Sequence, residues 1–189
     1  MWAVIICVIA AVLAQAQPQP PRILTLDGRA VDPLRAVEGV RATALIFTRT
    51  DCPVANQAAP EIERVRALYA DRGVQFWLVY VDPQEPADRI EAHGREYGLR
   101  APAIRDPDHA LARRTGVRVT PEAAVYVFDG TTPRLTYRGR IDDRMIELGR
   151  QRPRATRFDL RDALQAALDR SAPTTVVTAG VGCEIADLR

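Results

Sequence analysis

Residues 44–65, from Ala44 to Val65, read ALIFTRTDCPVANQAAPEIERV. Ala44–Phe47 is an apolar run, the composition of a central strand buried on both faces. A short polar turn follows, then Cys52 and Pro53. Proline fits the first turn of a helix, where its missing N–H is not needed. Pro60, eight positions after Cys52, predicts a kink or a restart of that helix. From Glu61, residues Ile62, Val65, Leu68 and Tyr69 form one apolar helical stripe, with Glu61, Glu63, Arg64 and Arg66 outside it. Cys52 thus stands between a strand end and a helix start. Free N–H groups and the positive end of a helix dipole favour a thiolate there. A free thiol has a pKa of about 8.5, and such a position lowers it. Cys52 is read as a redox thiol, and the remaining chain as the scaffold that presents it.

Working outward, Ile23–Val31 holds a Leu26-Asp27-Gly28 turn signal, which predicts a small hairpin or edge strand. Val74–Val81 (VQFWLVYV) reads as a second central strand, and Pro86–Tyr97 as a helix stopped by Gly98. Ala103-Ile104 predicts a brief strand, and Asp108 an N-cap for a short helix that ends at Gly116. Pro121 precedes a third strand, Ala123–Phe128; after a turn, Leu135–Ile141 gives a fourth, antiparallel to it. Asp159–Leu168 (DLRDALQAAL) is an amphipathic helix with Leu160, Leu164 and Leu168 on one face. The order of elements is that of an α/β layer, parallel in the middle with a hairpin at one edge.

Hydrophobic residues make up 47% of the 189, enough for a real core. The net charge of +2 is too small to point to nucleic acid or an anionic membrane. All 26 basic residues are arginine, so Schiff-base chemistry on lysine is excluded. Ala3–Ala14 is an apolar run followed by the small-x-small pattern Ala14-Gln15-Ala16. It is shorter than the ~20 residues a spanning helix needs. Residues 1–16 are therefore expected to be a signal peptide, with an uncleaved membrane anchor as the alternative. Residues 17–22 form a proline-rich linker, 23–170 the folded domain, and 171–189 a tail carrying Cys183. The expected location is secreted or periplasmic. Cleavage would remove Cys7 and leave Cys52 and Cys183, which can form one disulfide in an oxidising compartment.

The cysteine at a strand-to-helix turn, the proline eight residues later, and Thr120-Pro121 entering a later strand together resemble the thioredoxin fold. Within it the chain resembles the redoxins, the alkyl hydroperoxide reductase/thiol-specific antioxidant-like proteins. The resemblance covers about Leu24 to Leu168. It implies a central mixed sheet flanked by helices, and catalytic roles for Cys52, Cys183, Thr120 and Pro121. Cys52 would be the nucleophile. Pro121 would match the family's cis-proline, and Thr120 would offer its backbone N–H and C=O to an extended substrate strand. Two departures stand out. The position three residues after Cys52, which carries the second thioredoxin cysteine, is Ala55, and the corresponding copper-chaperone position is Asn56. The peroxiredoxin Pro and Thr/Ser positions, seven and three before the nucleophile, are Leu45 and Arg49. Cys183 is the candidate to fill the vacancy as a resolving thiol, since some redoxins use a distant C-terminal cysteine. A static structural disulfide and two unpaired thiols remain the alternatives.

The expected activity is that of a thiol–disulfide oxidoreductase or thiol peroxidase, acting on a protein disulfide or a peroxide. No nicotinamide, flavin or nucleotide motif is found, so a protein or small thiol must supply the electrons. The alternative is a non-catalytic thioredoxin-like binding or copper-handling module. Asp51 reads either as a helix cap or as a charge that raises the Cys52 pKa. Asn56 reads as a first-turn polar residue within reach of a substrate. His93 and His109 read as surface residues, and Asp142, Asp143 and Arg144 as a solvated turn. One cysteine and two scattered histidines make no metal site.

Overall fold

The computed structural model describes residues 22–171, 176–186 and 188; the proposed signal segment and nearly all of the linker lie outside these. In chain order the strands are β1 (Leu24–Thr25), β2 (Ala42–Thr48), β3 (Val74–Tyr80), β4 (Ala103–Arg105), β5 (Val119–Thr120) and β6 (Glu122–Asp129). They continue with β7 (Thr132–Gly139), β8 (Met145–Glu147), β9 (Arg150–Gln151), β10 (Val176–Val177) and β11 (Cys183–Glu184). The helices are α1 (Pro53–Tyr69), α2 (Ala87–Glu96), α3 (Ala110–Thr115) and α4 (Asp159–Leu168).

Seven strands form one mixed sheet in the order β1-β4-β3-β2-β6-β7-β10. β2, β3 and β4 run parallel, as strands joined by crossover helices must. β6 is antiparallel to β2 and to β7, which gives the expected hairpin side. Every residue of β2 is buried, so its side chains alternate between two cores. Ala44 and Ile46 face a cluster with Ile62 and Val65 of α1 and Leu160, Leu164 and Leu168 of α4. Leu45 and Phe47 face a second cluster with Leu111 and Ala112 of α3 and with Ile185 beyond β11. Each such buried leucine contributes roughly 1.5–3 kcal/mol. The result is a sheet covered on both faces, with the C-terminal end of β2 held rigidly against the start of α1.

Three expectations about α1 and α3 need correction. Helix α1 does not restart at Pro60 but runs through it as one element, with the proline side chain exposed. Its stripe is also rotated: Leu68 is 51% exposed while Glu61 is only 8% exposed. Glu61 turns inward because Arg161 of α4 meets its carboxylate at 2.6 Å, and Arg64 pairs with the same group. On α3 the helix-start carboxylate is Asp106, not Asp108. Asp106 accepts the Ala112 N–H at 3.0 Å, whereas Asp108 accepts from the backbone and side chain of Arg22.

Candidate active site

The end of β2 delivers the chain into the turn at Arg49–Asp51 and then into α1. Cys52 occupies the N-cap position of α1, in extended conformation, and its sulfur accepts the Ala55 N–H at 3.5 Å. That N–H is one of the orphan donors every helix start exposes. No acidic residue lies in the first turn to oppose the helix dipole. Asp51 is not the cap: its side chain is 57% exposed and pairs with Arg49 at 2.9 Å. The sulfur takes the role that sequence reasoning offered to the neighbouring carboxylate.

Thr120 and Pro121, far away in sequence, meet Cys52 here. The Thr120–Pro121 bond is cis. The Thr120 carbonyl oxygen lies 3.1 Å from Cys52 Sγ, close enough to accept from the thiol when it is reduced. Cys52 itself has no exposed surface.

The tail supplies the reason. Cys52 and Cys183 form a disulfide, with a Cα–Cα distance of 6.0 Å. β11 pairs antiparallel with β5, Cys183 opposite Thr120 and Glu184 opposite Val119. Beyond them Ile185 donates its N–H to the Arg118 carbonyl and buries its side chain in the second core. Gly182 is required by closeness: a Cβ there would stand 1.9 Å from the Thr120 oxygen. All four residues singled out from sequence, Cys52, Cys183, Thr120 and Pro121, are therefore brought to one place.

Sequence reasoning missed the support beneath the Cys52 turn. His93 is 5% exposed, not a surface residue. Its two nitrogens lie 2.8 Å from the Tyr80 hydroxyl and 2.8 Å from Asn56 Oδ1. Asn56 in turn donates to the Thr50 carbonyl at 3.2 Å, and the Thr50 hydroxyl donates to Glu85. A neutral ring fits this chain: Tyr80 donates to Nδ1, and Nε2–H donates to Asn56. Burial holds the imidazole below its usual pKa, against the opposing pull of Glu96 and Glu85. Burial likewise pushes the Tyr80 hydroxyl up, so it stays a donor. The findable signal was the i,i+3 spacing of Ile90 and His93, the two buried residues of α2. His109 is also buried, at 6% exposure, with Nε2 2.8 Å from the Val81 carbonyl.

Asp143 is buried as well, against the expectation of a solvated turn. It accepts from the backbone N–H groups of Thr156 and Arg157 and from the Thr156 hydroxyl, and pairs with Arg152. Burial alone would raise its pKa, but these donors hold the carboxyl well below the usual range. The loop so fixed carries the β8–β9 hairpin. Between this loop, α1 and the tail lies a pocket of about 350 Å³ that reaches Val54, Pro121 and Val181. Among the described residues no group of three or more His, Cys, Asp or Glu is placed to hold a metal ion.

Comparison with known proteins agrees with this fold. The AhpC/TSA family model matches residues 20–134, more than half of the chain. A curated relative, the thiol-disulfide oxidoreductase ResA of Halalkalibacterium halodurans, is 25% identical over 122 residues. These cover 65% of this chain and 66% of that protein, just under two thirds of its length. An uncharacterized conserved protein from Geobacillus kaustophilus has a similar solved structure, with a TM-score of 0.70, 24% identity and coverage of 88% of both chains. A secreted disulfide oxidoreductase of Mycobacterium tuberculosis has a TM-score of 0.50 and 22% identity, over 76% of this chain and 92% of that one. The fold they share is the thioredoxin-like one, with its central mixed sheet between helices.

Proposed function

The chain belongs to the AhpC/TSA family, and on that footing we propose that it is a thiol–disulfide oxidoreductase whose redox pair is Cys52 and Cys183. The observation that carries this reading is the Cys52–Cys183 bond at the start of α1, beside Pro121. In the oxidised chain Cys52 is fully covered and Cys183 half-buried, so a thiolate reductant reaches the bond at the Cys183 sulfur. Cys52 then leaves as a thiolate, stabilised by the α1 N-terminus; the thiol of lower pKa is the better leaving group. A second thiol of the reductant frees Cys183 and completes the two-electron reduction.

With the tail released, the Cys52 thiolate attacks one sulfur of a substrate disulfide. A Cys52–substrate disulfide forms and the other substrate thiolate departs. Cys183 attacks Cys52 in turn, restoring the internal bond and releasing the second substrate thiolate. The exposed β5 edge offers the backbone groups of Thr120 to an extended substrate strand, in the place β11 vacates. A disulfide is favoured over a peroxide as substrate because Leu45 and Arg49 stand at the peroxide-binding positions. Electrons come from a protein or small-thiol donor. The protein works outside the cytoplasm, secreted or periplasmic, in keeping with the apolar N-terminal segment and the disulfide.

The test is redox equilibration in defined dithiol/disulfide buffers, with the Cys52–Cys183 bond read by mass spectrometry. A reduction potential above about −300 mV, together with loss of disulfide-reducing activity in Cys52→Ser, supports the proposal. A bond that stays intact below that potential marks a static cross-link and overturns it.

A further inference from the structure

The tail is fastened to the fold on both sides of its cysteine. Ahead of Cys183, β10 pairs with β7, and Thr178 donates its N–H to the Arg138 carbonyl. The Thr178 hydroxyl lies 2.7 Å from the Tyr137 hydroxyl and accepts the Arg140 N–H at 3.2 Å. Behind Cys183, Ile185 is 6% exposed and packs in the second core, the cluster that holds Leu45, Phe47 and Leu111. Leu188 adds a partly buried contact to the same cluster. The Ile185 N–H donates to the Arg118 carbonyl at 2.9 Å. The β5 segment under Ile185 is itself held, because Glu122 accepts the N–H groups of Arg118 and Val119 at 2.8 and 3.3 Å. Cys183 is thus suspended between two anchors, and neither is made by the disulfide.

Cutting the S–S bond leaves both anchors in place. Burial of an isoleucine side chain favours the docked tail by about 10- to 100-fold, before the β5–β11 hydrogen bonds are added. The reduced chain therefore keeps Cys183 opposite Thr120 and Cys52 under cover, although substrate needs β11 to leave. The two anchors differ in what they control. Thr178 sits on β7, and its loss leaves β11 on β5. Ile185 directly follows β11 and lines, with Arg49 and Asp82, a cavity of about 90 Å³ beside the Cys52 turn. Withdrawing Ile185 both frees Cys183 and widens that cavity next to the turn.

We propose that Ile185 is a latch, a positioning residue that keeps Cys183 against Cys52 after the bond is reduced and so limits access to the Cys52 thiolate. This rests on the thiol–disulfide reading of the pair and adds its regulation. Substrate reacts with the fraction of chains whose latch is open, so the rate at Cys52 scales with that fraction. Re-docking of Ile185 then carries the Cys183 sulfur back to the Cys52–substrate bond. A partner that draws Ile185 from its seat raises the open fraction and speeds reaction at Cys52.

The first test needs no substitution. In the reduced wild-type chain the Ile185 amide, followed by hydrogen exchange, should exchange at least about tenfold slower than in an unstructured peptide of the same sequence. Exchange at the peptide rate overturns the latch. The second test follows alkylation of Cys52 by iodoacetamide in the full chain with Cys183→Ser, read on the Cys52 peptide by mass spectrometry. Adding Ile185→Ala should speed alkylation about tenfold or more, and Ile185→Val, one methylene smaller, by no more than about fourfold. Leu164→Ala opens the core on the other face of the sheet and should change the rate by less than about twofold. No acceleration by Ile185→Ala, or equal acceleration by Leu164→Ala, overturns the latch. The redox reading is judged apart from these, by exchange of the wild-type Cys52–Cys183 bond with a dithiol buffer. A bond that exchanges leaves that reading standing whatever Ile185 does; a bond that does not exchange overturns it and the latch with it.

Discussion

Replacing Cys183 by serine separates the two roles a disulfide can have. The bond joins residues 131 positions apart. In the chain-entropy model, closing a loop of that length in the unfolded ensemble stabilises the fold by about 5 kcal/mol at 25 °C. Unfolding releases about 2.1 cal/mol/K per residue, or roughly 0.3 kcal/mol/K for a domain of this size. The two figures together set a melting-temperature loss of up to about 15 °C. Domains of this kind have about 5–15 kcal/mol of stability, so a loss of about 5 leaves up to about 10, and the serine variant is expected to stay folded at room temperature. A redox cycle requires that, because the reduced chain is the form that meets substrate. The assay is thermal unfolding by circular dichroism on three samples: oxidised wild type, wild type in excess reductant, and Cys183→Ser. The last two should melt together, well below the first. If all three melt within about 2 °C of each other, the tail is not tied to the fold as argued. If the reduced samples are unfolded at room temperature, the bond is a structural necessity and the cycle is wrong.

The remaining predictions concern the groups behind the site. His93→Phe leaves the Tyr80 hydroxyl and the Asn56 carbonyl oxygen without partners in a buried site, and should cost roughly 2–4 kcal/mol in urea denaturation; Tyr80→Phe, which removes one bond, should cost about half as much. Both should also slow thiol labelling of reduced Cys52, because Asn56 holds the Thr50 carbonyl of the turn. The folded pKa of His93 lies below its unfolded value, so the folded state binds fewer protons between the two. His93 therefore contributes stability that is present above about pH 6.5 and is lost as pH falls toward the folded value, a slope that His93→Phe should abolish. Glu61→Gln removes the charge that Arg161 of α4 and Arg64 pair with, and should lower stability by about 1–3 kcal/mol, measured by urea denaturation, with little change in the Cys52–Cys183 potential.

How much of this was legible beforehand follows from which forces set each feature. β2, β3, β6 and α4 were readable because burial on two faces, or on one helical stripe, writes a period into the residue types themselves. The meeting of Cys52 with Thr120 and Pro121 was readable because the fold they resemble places a thiol beside a proline bond; Cys183 was readable only as the one other thiol available for pairing. The features that escaped are those where a polar residue is satisfied by something distant in sequence. Glu61 is buried only because Arg161, 100 positions on, points at it. His93 is buried only because Tyr80 and Asn56 supply both of its bonds. Asp143 turns inward because Thr156 and Arg157 bring donors to it. Hydropathy assigns each of these to solvent, since an unpaired charge or imidazole would belong there. The residues it misassigned are also the ones that hold the Cys52 turn and the pocket wall in place. A chain that holds Cys52 on a fixed turn needs buried polar contacts to fix that turn, and such contacts leave no periodic trace. The sequence was therefore least readable in the shell around Cys52, where distant polar partners set the geometry.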